Sequence, residues 1–223
     1  MTIHMGTNGG TTNVKSEMTY SDITHAYLWD VTDFQYVKKL YDMIKFLDKN
    51  REFAEKRAAI ANFENLLKRA RNDQSAYDHE RNHKVEPLEC IEKEDRITNS
   101  GRTRAAELIA GEAGARFDYA AIGKSQIPVS DSDYQLYQEV NRINIRLSGY
   151  ASASGAIIKH SALWTPGLPS DTYWEFAPVD RPDIHVLQMI WARVVFPANR
   201  PLVHVQNVDF FTVTHSTYTS SLA

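Results

Sequence analysis

Cysteine is almost missing from this sequence, which carries Cys90 alone among 223 residues. A single cysteine excludes a disulfide within the chain, so the fold must be held by packing and by partner contacts. This usage fits a chain that is made and assembled in a reducing cytoplasm.

Strong net charge and long apolar runs are also missing. The formal net charge is -3 and the isoelectric point is about 6.2, so no global field gathers nucleic acid or an anionic lipid surface. Residues 1–15 are dominated by Thr, Asn and Gly, which is neither a signal peptide nor a membrane anchor. We therefore expect no direct nucleic-acid binding, no membrane partner and no secretion by a signal peptide.

The apolar content of 43% is enough for one sizeable core with an accessory unit. We expect residues 1–19 to be a flexible N-terminal arm, because so polar a segment does not repay its ordering entropy alone. Residues 20–95 are expected to form a helical segment with a polar linker. Residues 96–223 are expected to form a β-rich domain with a short leading helix.

Thr32 and Gln35 have the spacing of a capping box and predict a helix start. Apolar residues then recur at helical spacing, and after a polar step at residues 48–50 they resume in a new phase. Such stripes either pack on their own domain or form a coiled-coil-like seam between subunits. The first stripe is Val37, Leu40, Ile44 and Leu47, and the second is Ile60, Phe63, Leu67 and Ala70.

Residues 72–95 are strongly polar and contain Pro87, so they are expected to be a linker without a continuing helix. A short helix is predicted over residues 98–110, where good helix formers with an apolar side precede Gly111.

The second half has short runs of β-branched and aromatic residues separated by Gly, Pro, Ser and Asp. This pattern predicts an α+β fold, with the N-terminal helical segment followed by an antiparallel β-sandwich or barrel-like domain. A break in phase near Asn207 indicates a bulge. The predicted strands are residues 117–122, 142–154, 156–164, 173–178, 185–196 and 203–214.

His79, Glu80 and His83 match the zinc-protease pattern of two histidines one helical turn apart with an intervening glutamate. Arg81 would place a cation beside the metal, and the flanks are polar where the motif needs a buried helix. A zinc-dependent hydrolase is therefore only a remote alternative.

Four histidines of the β half are further metal candidates if their strands pair suitably, although strand histidines are usually satisfied by hydrogen bonds or solvent. We expect no catalytic residue, no cofactor and no metal ligand in this chain. The four histidines are His160, His185, His204 and His215.

Aromatic residues concentrate around the Pro166–Pro169 turn. They either fill the β core or form an interface with protein or carbohydrate, where rigid aromatic side chains concentrate binding energy. The candidate interface residues, including the helical stripe, are Trp164, Tyr173, Trp174, Phe176, Val37, Leu40, Ile44 and Leu47.

Short motifs in the second half occur in a characteristic order. Residues 98–101 read Thr-Asn-Ser-Gly before an Ala-rich helix, residues 119–123 read Tyr-Ala-Ala-Ile-Gly, and residues 192–197 read Ala-Arg-Val-Val-Phe-Pro. From Ile97 to the C-terminus the chain resembles a module of phage and archaeal tailed-virus structural proteins, found also at the starts of some tail-collar fibres. That module has a "TNxG" helix start, a "YxAIG" strand and a closing "LARxxFP" strand.

The resemblance implies a virion structural role in the tail, neck, baseplate or fibre-attachment region. It also implies no catalytic residues, and partners that are copies of this chain and other virion proteins. Lys124, Ser125 and Gln126 depart from the Gly and Thr of the module, at a place where a docking loop fits. A host-receptor or carbohydrate-binding fibre, or a capsid decoration protein, is the alternative. The expected location is the virion, after synthesis in the host cytoplasm.

Overall fold

The computed structural model describes residues 18–49, 61–69, 76–78, 83–109, 117–152, 155–182 and 189–221. Its main feature is a nine-stranded antiparallel sheet, which curls into a nearly closed barrel. A few short helices accompany this sheet. The α+β class with a barrel-like antiparallel domain, predicted from the sequence, is confirmed.

The helices are α1 (Phe34–Lys49), α2 (residues 61–69) and α3 (Asn99–Ile109), and a 3-10 turn, Val31–Asp33, precedes α1. The sheet order is β6-β5-β10-β11-β4-β1-β13-β8-β7, while β12 pairs with β9 and β2 with β3. The strands are β1 (Met18–Asp30), β2 (Ala76–Asp78), β3 (His83–Val85), β4 (Pro87–Ile97), β5 (Tyr119–Gly123), β6 (Glu139–Asn144), β7 (Arg146–Ser152), β8 (Gly155–Trp164), β9 (Asp171–Tyr173), β10 (Glu175–Val179), β11 (Ala192–Val195), β12 (Leu202–His204) and β13 (Asp209–Ser221).

One stretch of chain supplies both ends of the sheet order. β6 pairs with β5 and β7 pairs with β8, yet only Ile145 separates β6 from β7. Ile145 is buried, and its backbone N–H donates to the Asp118 carbonyl at 2.9 Å. The strand pair β6–β7 therefore crosses from one end of the sheet to the other, which brings the barrel close to closure.

The barrel interior is filled by apolar side chains from alternate positions of the strands, as the period of a strand requires. Ala26, Phe211 and Val213 belong to this interior cluster, and Trp164 stacks on Phe211 with ring centroids 5.0 Å apart. Removing such large side chains from water supplies most of the favourable free energy of folding.

The other face of β1 and β13 packs against the helices. Tyr27, Trp29 and Phe210 form a second cluster with Val37 of α1 and Phe63 of α2. β1 is thus covered on both faces, so its sequence lacks the alternation by which half-buried strands are recognised. Residues 20–30, assigned from the sequence to the helical segment, therefore belong to a strand of the sheet.

The start of α1 also differs from the expectation. Asp30, rather than Thr32, is the cap: its carboxylate accepts from the Thr32 backbone N–H at 2.8 Å, ahead of the 3-10 turn. Thr32 is exposed within that turn, and the α-helix begins at Phe34. The capping box predicted from Thr32 and Gln35 is therefore wrong, although the helix is present.

The segment read as a polar linker contains β4, a central strand between β1 and β11. Only Ile91 and Ile97 of β4 are buried, and most other positions are polar, so its composition is that of a linker. Pro87 is the first residue of the strand, a position where proline is tolerated. Strands from both sides of the boundary expected between residues 95 and 96 belong to the same sheet.

The remaining predicted strands are found with shifted bounds. The segment predicted over residues 142–154 is divided at Ile145, and the one over residues 173–178 belongs to β9 and β10. The phase break near Asn207 is a turn between β12 and β13 rather than a bulge, with Asn207 at a φ of 61°. Asparagine tolerates this left-handed conformation better than most residues.

No helix within the described ranges is long and apolar enough to cross a membrane.

Candidate functional site

Two buried groups of charged side chains lie on opposite faces of the barrel wall. The first, called the His215 cluster, lies inside the barrel and consists of Asp22, Thr24, Asp95, His160, His215 and Thr217. The second, called the Arg193 network, lies on the outer face and consists of Arg193, Glu175 and Asp133.

Strand register brings the His215 cluster together. Asp22 of β1 lies opposite Asp95 of β4, and His215 of β13 lies opposite His160 of β8. Since Phe211 and Val213 point into the barrel, the alternation of β13 also turns His215 inward. The cluster thus continues the apolar interior toward one end of the barrel.

His215 bridges two carboxylates. Its Nδ1 lies 2.9 Å from Asp95 Oδ2, and its Nε2 lies 3.6 Å from Asp22 Oδ1. Burial by itself lowers the pKa of His215, but the charges of Asp95 and Asp22 outweigh it and raise that pKa above its ordinary value. His215 therefore lies between two carboxyl groups that face each other directly across β1 and β4.

Two hydroxyl groups extend these contacts. Thr24 donates to Asp95 Oδ2 at 2.6 Å, and Thr217 donates to Asp22 Oδ1 at 2.6 Å. Thr217 Oγ1 also lies 3.1 Å from His215 Nε2 and accepts from Trp191 Nε1 at 2.9 Å. The hydroxyl of Thr217 is thus fully used as one donor and two acceptors.

Two buried atoms of the cluster nevertheless have no hydrogen-bond partner among the described residues, namely Asp95 Oδ1 and His160 Nδ1. Burial lowers the pKa of His160 well below its ordinary value, and the charge of His215 lowers it further. Burial raises the pKa of Asp22, although His215 and Thr217 oppose this. The cluster therefore joins two carboxyl groups and two imidazole rings, and one carboxyl oxygen and one ring nitrogen in it are bare.

The Arg193 network is fully satisfied. Arg193 Nη2 lies 2.9 Å from Glu175 Oε2 and its Nη1 lies 3.1 Å from Asp133 Oδ2, with all three side chains at 0–1% exposure. Arg193 also donates to the carbonyls of Ile127 and Pro128. These contacts connect strands β10 and β11 to residues 124–138, which we call the anchored loop.

The carboxylates of the network accept from the backbone of the anchored loop. Glu175 accepts from the N–H groups of Ser125, Tyr137 and Gln138 at 2.9–3.3 Å, and Asp133 accepts from that of Ser130 at 2.9 Å. Backbone donors of this kind stabilise a buried carboxylate. The buried carboxylates therefore fix the backbone path of the anchored loop.

The anchored loop and the strand after it expose apolar side chains above these charges. The guanidinium of Arg193 lies 4.7 Å from the ring centroid of Tyr137, so one face of that ring rests on the network. The exposed apolar residues here are Ile127, Tyr134, Tyr137 and Val140, at 43% to 52% exposure. A second exposed apolar set, next to the Asn207 turn, consists of Val203, Val205 and Val208.

Residues of the sequence motifs at positions 98–101 and 119–123 have structural roles in the fold. Thr98 caps α3 by accepting from the Gly101 N–H at 3.1 Å, and it donates to the Ile190 carbonyl at 2.7 Å. A Cβ at Gly101 would lie 2.2 Å from the Trp191 carbonyl oxygen, and one at Gly123 would lie 2.4 Å from Glu175 Oε1. Both glycines therefore permit close approach of the backbone.

The aromatic interface candidates are placed largely in the core. Trp164, Tyr173 and Phe176 are 1–2% exposed in the interior cluster, the arrangement that the core interpretation requires. Trp174 is half-buried. An interface at these residues stays a prediction.

The helical candidates also have contacts within the chain. Val37 is buried and Leu40 packs against the same second cluster, as packing on the chain's own domain requires. Ile44 and Leu47 belong to α1, but their side chains lie outside the described residues. The seam between subunits stays a prediction.

The histidine candidates separate into different groups. His83 lies in strand β3, whereas the zinc-protease pattern needs it on a helix; His79 and Glu80 lie outside the described residues, as does His185. His204 is satisfied within the Asn207 turn by Asp209 at 2.5 Å and the Leu168 carbonyl at 2.8 Å. Only His160 and His215 of the four strand histidines are shown to converge, within the part of the chain that is described.

Several residues of the two charged groups were not singled out from the sequence. The available signal is the alternation of β13, since Phe211 and Val213 point inward and the next two inward positions are His215 and Thr217. Asp95 gave no signal, because it lies in a polar stretch resembling a linker.

No family model, no curated protein and no solved structure matches the chain.

Proposed function

We propose that this chain is a structural protein of a tailed virus particle, which assembles with copies of itself and with neighbouring virion proteins and catalyses no reaction. The proposal joins the motif resemblance of residues 97–223 to one structural observation. That observation is the anchored loop, where apolar side chains are exposed above a buried network of charges.

A loop that exposes apolar residues usually loses conformational entropy when it binds a partner. Here Arg193, Glu175 and Asp133 already hold the backbone in place, so less ordering remains to be done. Preorganised surfaces with exposed tyrosines suit repeated contacts between subunits, and symmetry multiplies contacts that are individually modest. We assign the assembly surface to the anchored loop and Val140.

The motif residues support the same role. Gly101, Gly123 and Arg193 are buried and serve the packing of α3, β10 and the anchored loop. These positions make the motif residues part of a scaffold that presents the anchored loop.

Light scattering on the purified full chain tests the proposal. We expect an oligomer of defined mass, and we expect the double variant Ile127→Ser, Tyr134→Ser to lower that mass toward the monomer. The matched control is Val203→Ser, Val208→Ser, which removes equally exposed apolar residues at the Asn207 turn and should leave the mass unchanged. A wild-type chain that is monomeric at all concentrations, and fails to bind purified particles that lack it, contradicts the proposal.

Carbohydrate binding by a fibre or decoration protein is the second candidate. Tyr134 and Tyr137 are both about half exposed on one loop, with the carboxylate of Asp131 nearby in sequence, and aromatic rings with adjacent acids are the groups that bind sugars. A glycan array separates the two functions: binding that Tyr134→Ser abolishes, by a chain that does not oligomerise, favours the sugar.

A further inference from the structure

We propose that the His215 cluster is a site for one divalent transition metal ion, with zinc as the best fit. The ligands are Asp22, Asp95, His215 and His160. This site lies inside the barrel and is independent of the assembly surface.

Geometry is the first argument. One ligand atom each from Asp22, Asp95 and His215 lies within 4.8 Å of the others. Two ligand atoms bonded to one tetrahedral zinc ion at about 2 Å are about 3.3 Å apart, so side-chain shifts of about 1–2 Å bring all three into range. The ligands come from three adjacent strands of a rigid sheet, β1, β4 and β13, which suits a preformed site.

The unpartnered atoms are the second argument, and they are independent of the first. Among the described residues, Asp95 Oδ1 and His160 Nδ1 are buried without a hydrogen-bond partner, and an orphaned buried polar atom costs about 1–3 kcal/mol. His160 is 3% exposed and lies directly opposite His215 on the same face of the sheet, with ring centroids 5.7 Å apart. An ion bound by the other three ligands gives Asp95 Oδ1 a partner, and His160 becomes the fourth ligand once its ring rotates toward His215.

Charge balance is the third argument. The cluster buries the carboxyl groups of Asp22 and Asp95 beside two imidazole rings, with side-chain exposures of 5% and 1% for the two acids. A divalent ion held by two carboxylates and two neutral imidazoles is neutral as a group. Mixed imidazole and carboxylate ligands favour zinc and its neighbours over magnesium or calcium, which prefer oxygen alone.

The surroundings suit such an ion. The Phe117 and Trp191 rings lie 6.5 and 5.9 Å from the ring of His160, so apolar groups cover the site. Thr24 and Thr217 hydrogen-bond to the two carboxylates and orient them, as outer groups around metal ligands do. A closed site of four protein ligands is the arrangement of structural zinc rather than catalytic zinc.

The test uses the purified full chain, stripped with a chelator, dialysed and then given zinc chloride. We expect one zinc per chain by elemental analysis. We also expect the thermal midpoint to rise by about 5–10 °C when free zinc exceeds its Kd a hundredfold. Asp95→Asn, which keeps the shape of the side chain, and His215→Gln should each lower zinc affinity at least about tenfold, the effect of losing one ligand.

His25→Gln is the matched control. His25 is also in β1 and 7% exposed, and it pairs with Glu92 at 2.8 Å, but it lies on the opposite face of the strand. It should retain wild-type zinc binding. Absence of stoichiometric zinc in wild type, or binding that Asp95→Asn leaves intact, overturns the site. Binding that only His79→Ala removes does so too, because the zinc then belongs to the other histidine motif. If His215→Gln does not fold, Asp95→Asn decides.

Discussion

The Arg193 network and the His215 cluster each bury two carboxyl groups beside a basic side chain, but their surroundings differ. Around Arg193, the carboxylate of Glu175 accepts from backbone N–H groups of the anchored loop, so the excess negative charge meets backbone dipoles. Around His215, Asp95 Oδ1 has no partner among the described residues. The difference is therefore one bare carboxyl oxygen, and it is this oxygen that leaves room for the proposed ion.

Removing the cation of the Arg193 network breaks this comparison with the largest expected effect. Arg193→Met leaves Glu175 and Asp133 buried without their cation, and we expect the free energy of unfolding to fall by about 3–5 kcal/mol. Urea unfolding followed by tryptophan fluorescence measures it. Hydrogen exchange should also accelerate at the amides of Ser125, Tyr137 and Gln138.

Arg200→Met is the control for that variant. Arg200 pairs with Glu89 at 3.3 Å, but its side chain is 51% exposed, and exposed pairs contribute about 0–1 kcal/mol. Equal losses from the two arginine variants would show that the Arg193 network does not stabilise the fold as a buried charge group.

A methyl group added at Gly123, next to Glu175, tests how rigid the Arg193 network is. In Gly123→Ala the new Cβ would lie 2.4 Å from Glu175 Oε1 and 2.6 Å from the Gln138 carbonyl, so a side chain and a backbone segment must both move. We expect a loss of about 1–3 kcal/mol in the free energy of unfolding, as for other overpacked sites. In the control Gly167→Ala, the nearest atom is Thr165 Oγ1 at 3.9 Å, and little change is expected. A Gly123→Ala variant as stable as the control would mean that the loop yields easily.

The His215 cluster is tested through a group that carries no charge. Thr217→Val keeps the shape of the side chain but removes the hydroxyl that donates to Asp22 and accepts from Trp191 Nε1. Three buried polar groups, those of Asp22, Trp191 and His215, then lose a partner, and we expect the metal-free chain to lose about 1–3 kcal/mol on chemical denaturation. The control is Thr32→Val, an exposed residue whose hydroxyl donates to the Asp30 carboxylate. A small effect at Thr217 would imply that water replaces its hydroxyl.

Much of the fold was predictable, because β8, β10 and β13 combine β-branched and aromatic residues with turn signals at their ends. β1 and β4 were not, for opposite physical reasons. β1 is covered on both faces and shows no alternation, whereas β4 has few buried side chains and is held in the sheet by its pairing with β1. Local composition is uninformative where tertiary contacts alone decide.

The charged groups were predictable only in part. The inward positions of β13 identify His215 and Thr217 once the strand is known. Asp22, Asp95, Glu175 and Arg193 are brought together by strand pairings at large sequence separation, which composition and spacing do not reveal. The resemblance singled out Arg193 and Gly123 as motif residues, and the structure supplies their physical role: Gly123 makes room for the carboxylate that binds Arg193.

The smallest effect is expected at Tyr137, on the surface of the Arg193 network. Tyr137 is 48% exposed, and its hydroxyl donates to Asp133 Oδ1 at 3.1 Å. Tyr137→Phe keeps the ring over Arg193 and removes only this hydrogen bond, so we expect a small loss of stability in urea unfolding, less than that from Thr217→Val. Asp133 keeps Arg193 and the Ser130 N–H as partners, so no buried charge is orphaned. A loss as large as that from Arg193→Met would mean that the tyrosine hydroxyl, and not the guanidinium, holds the anchored loop to the barrel.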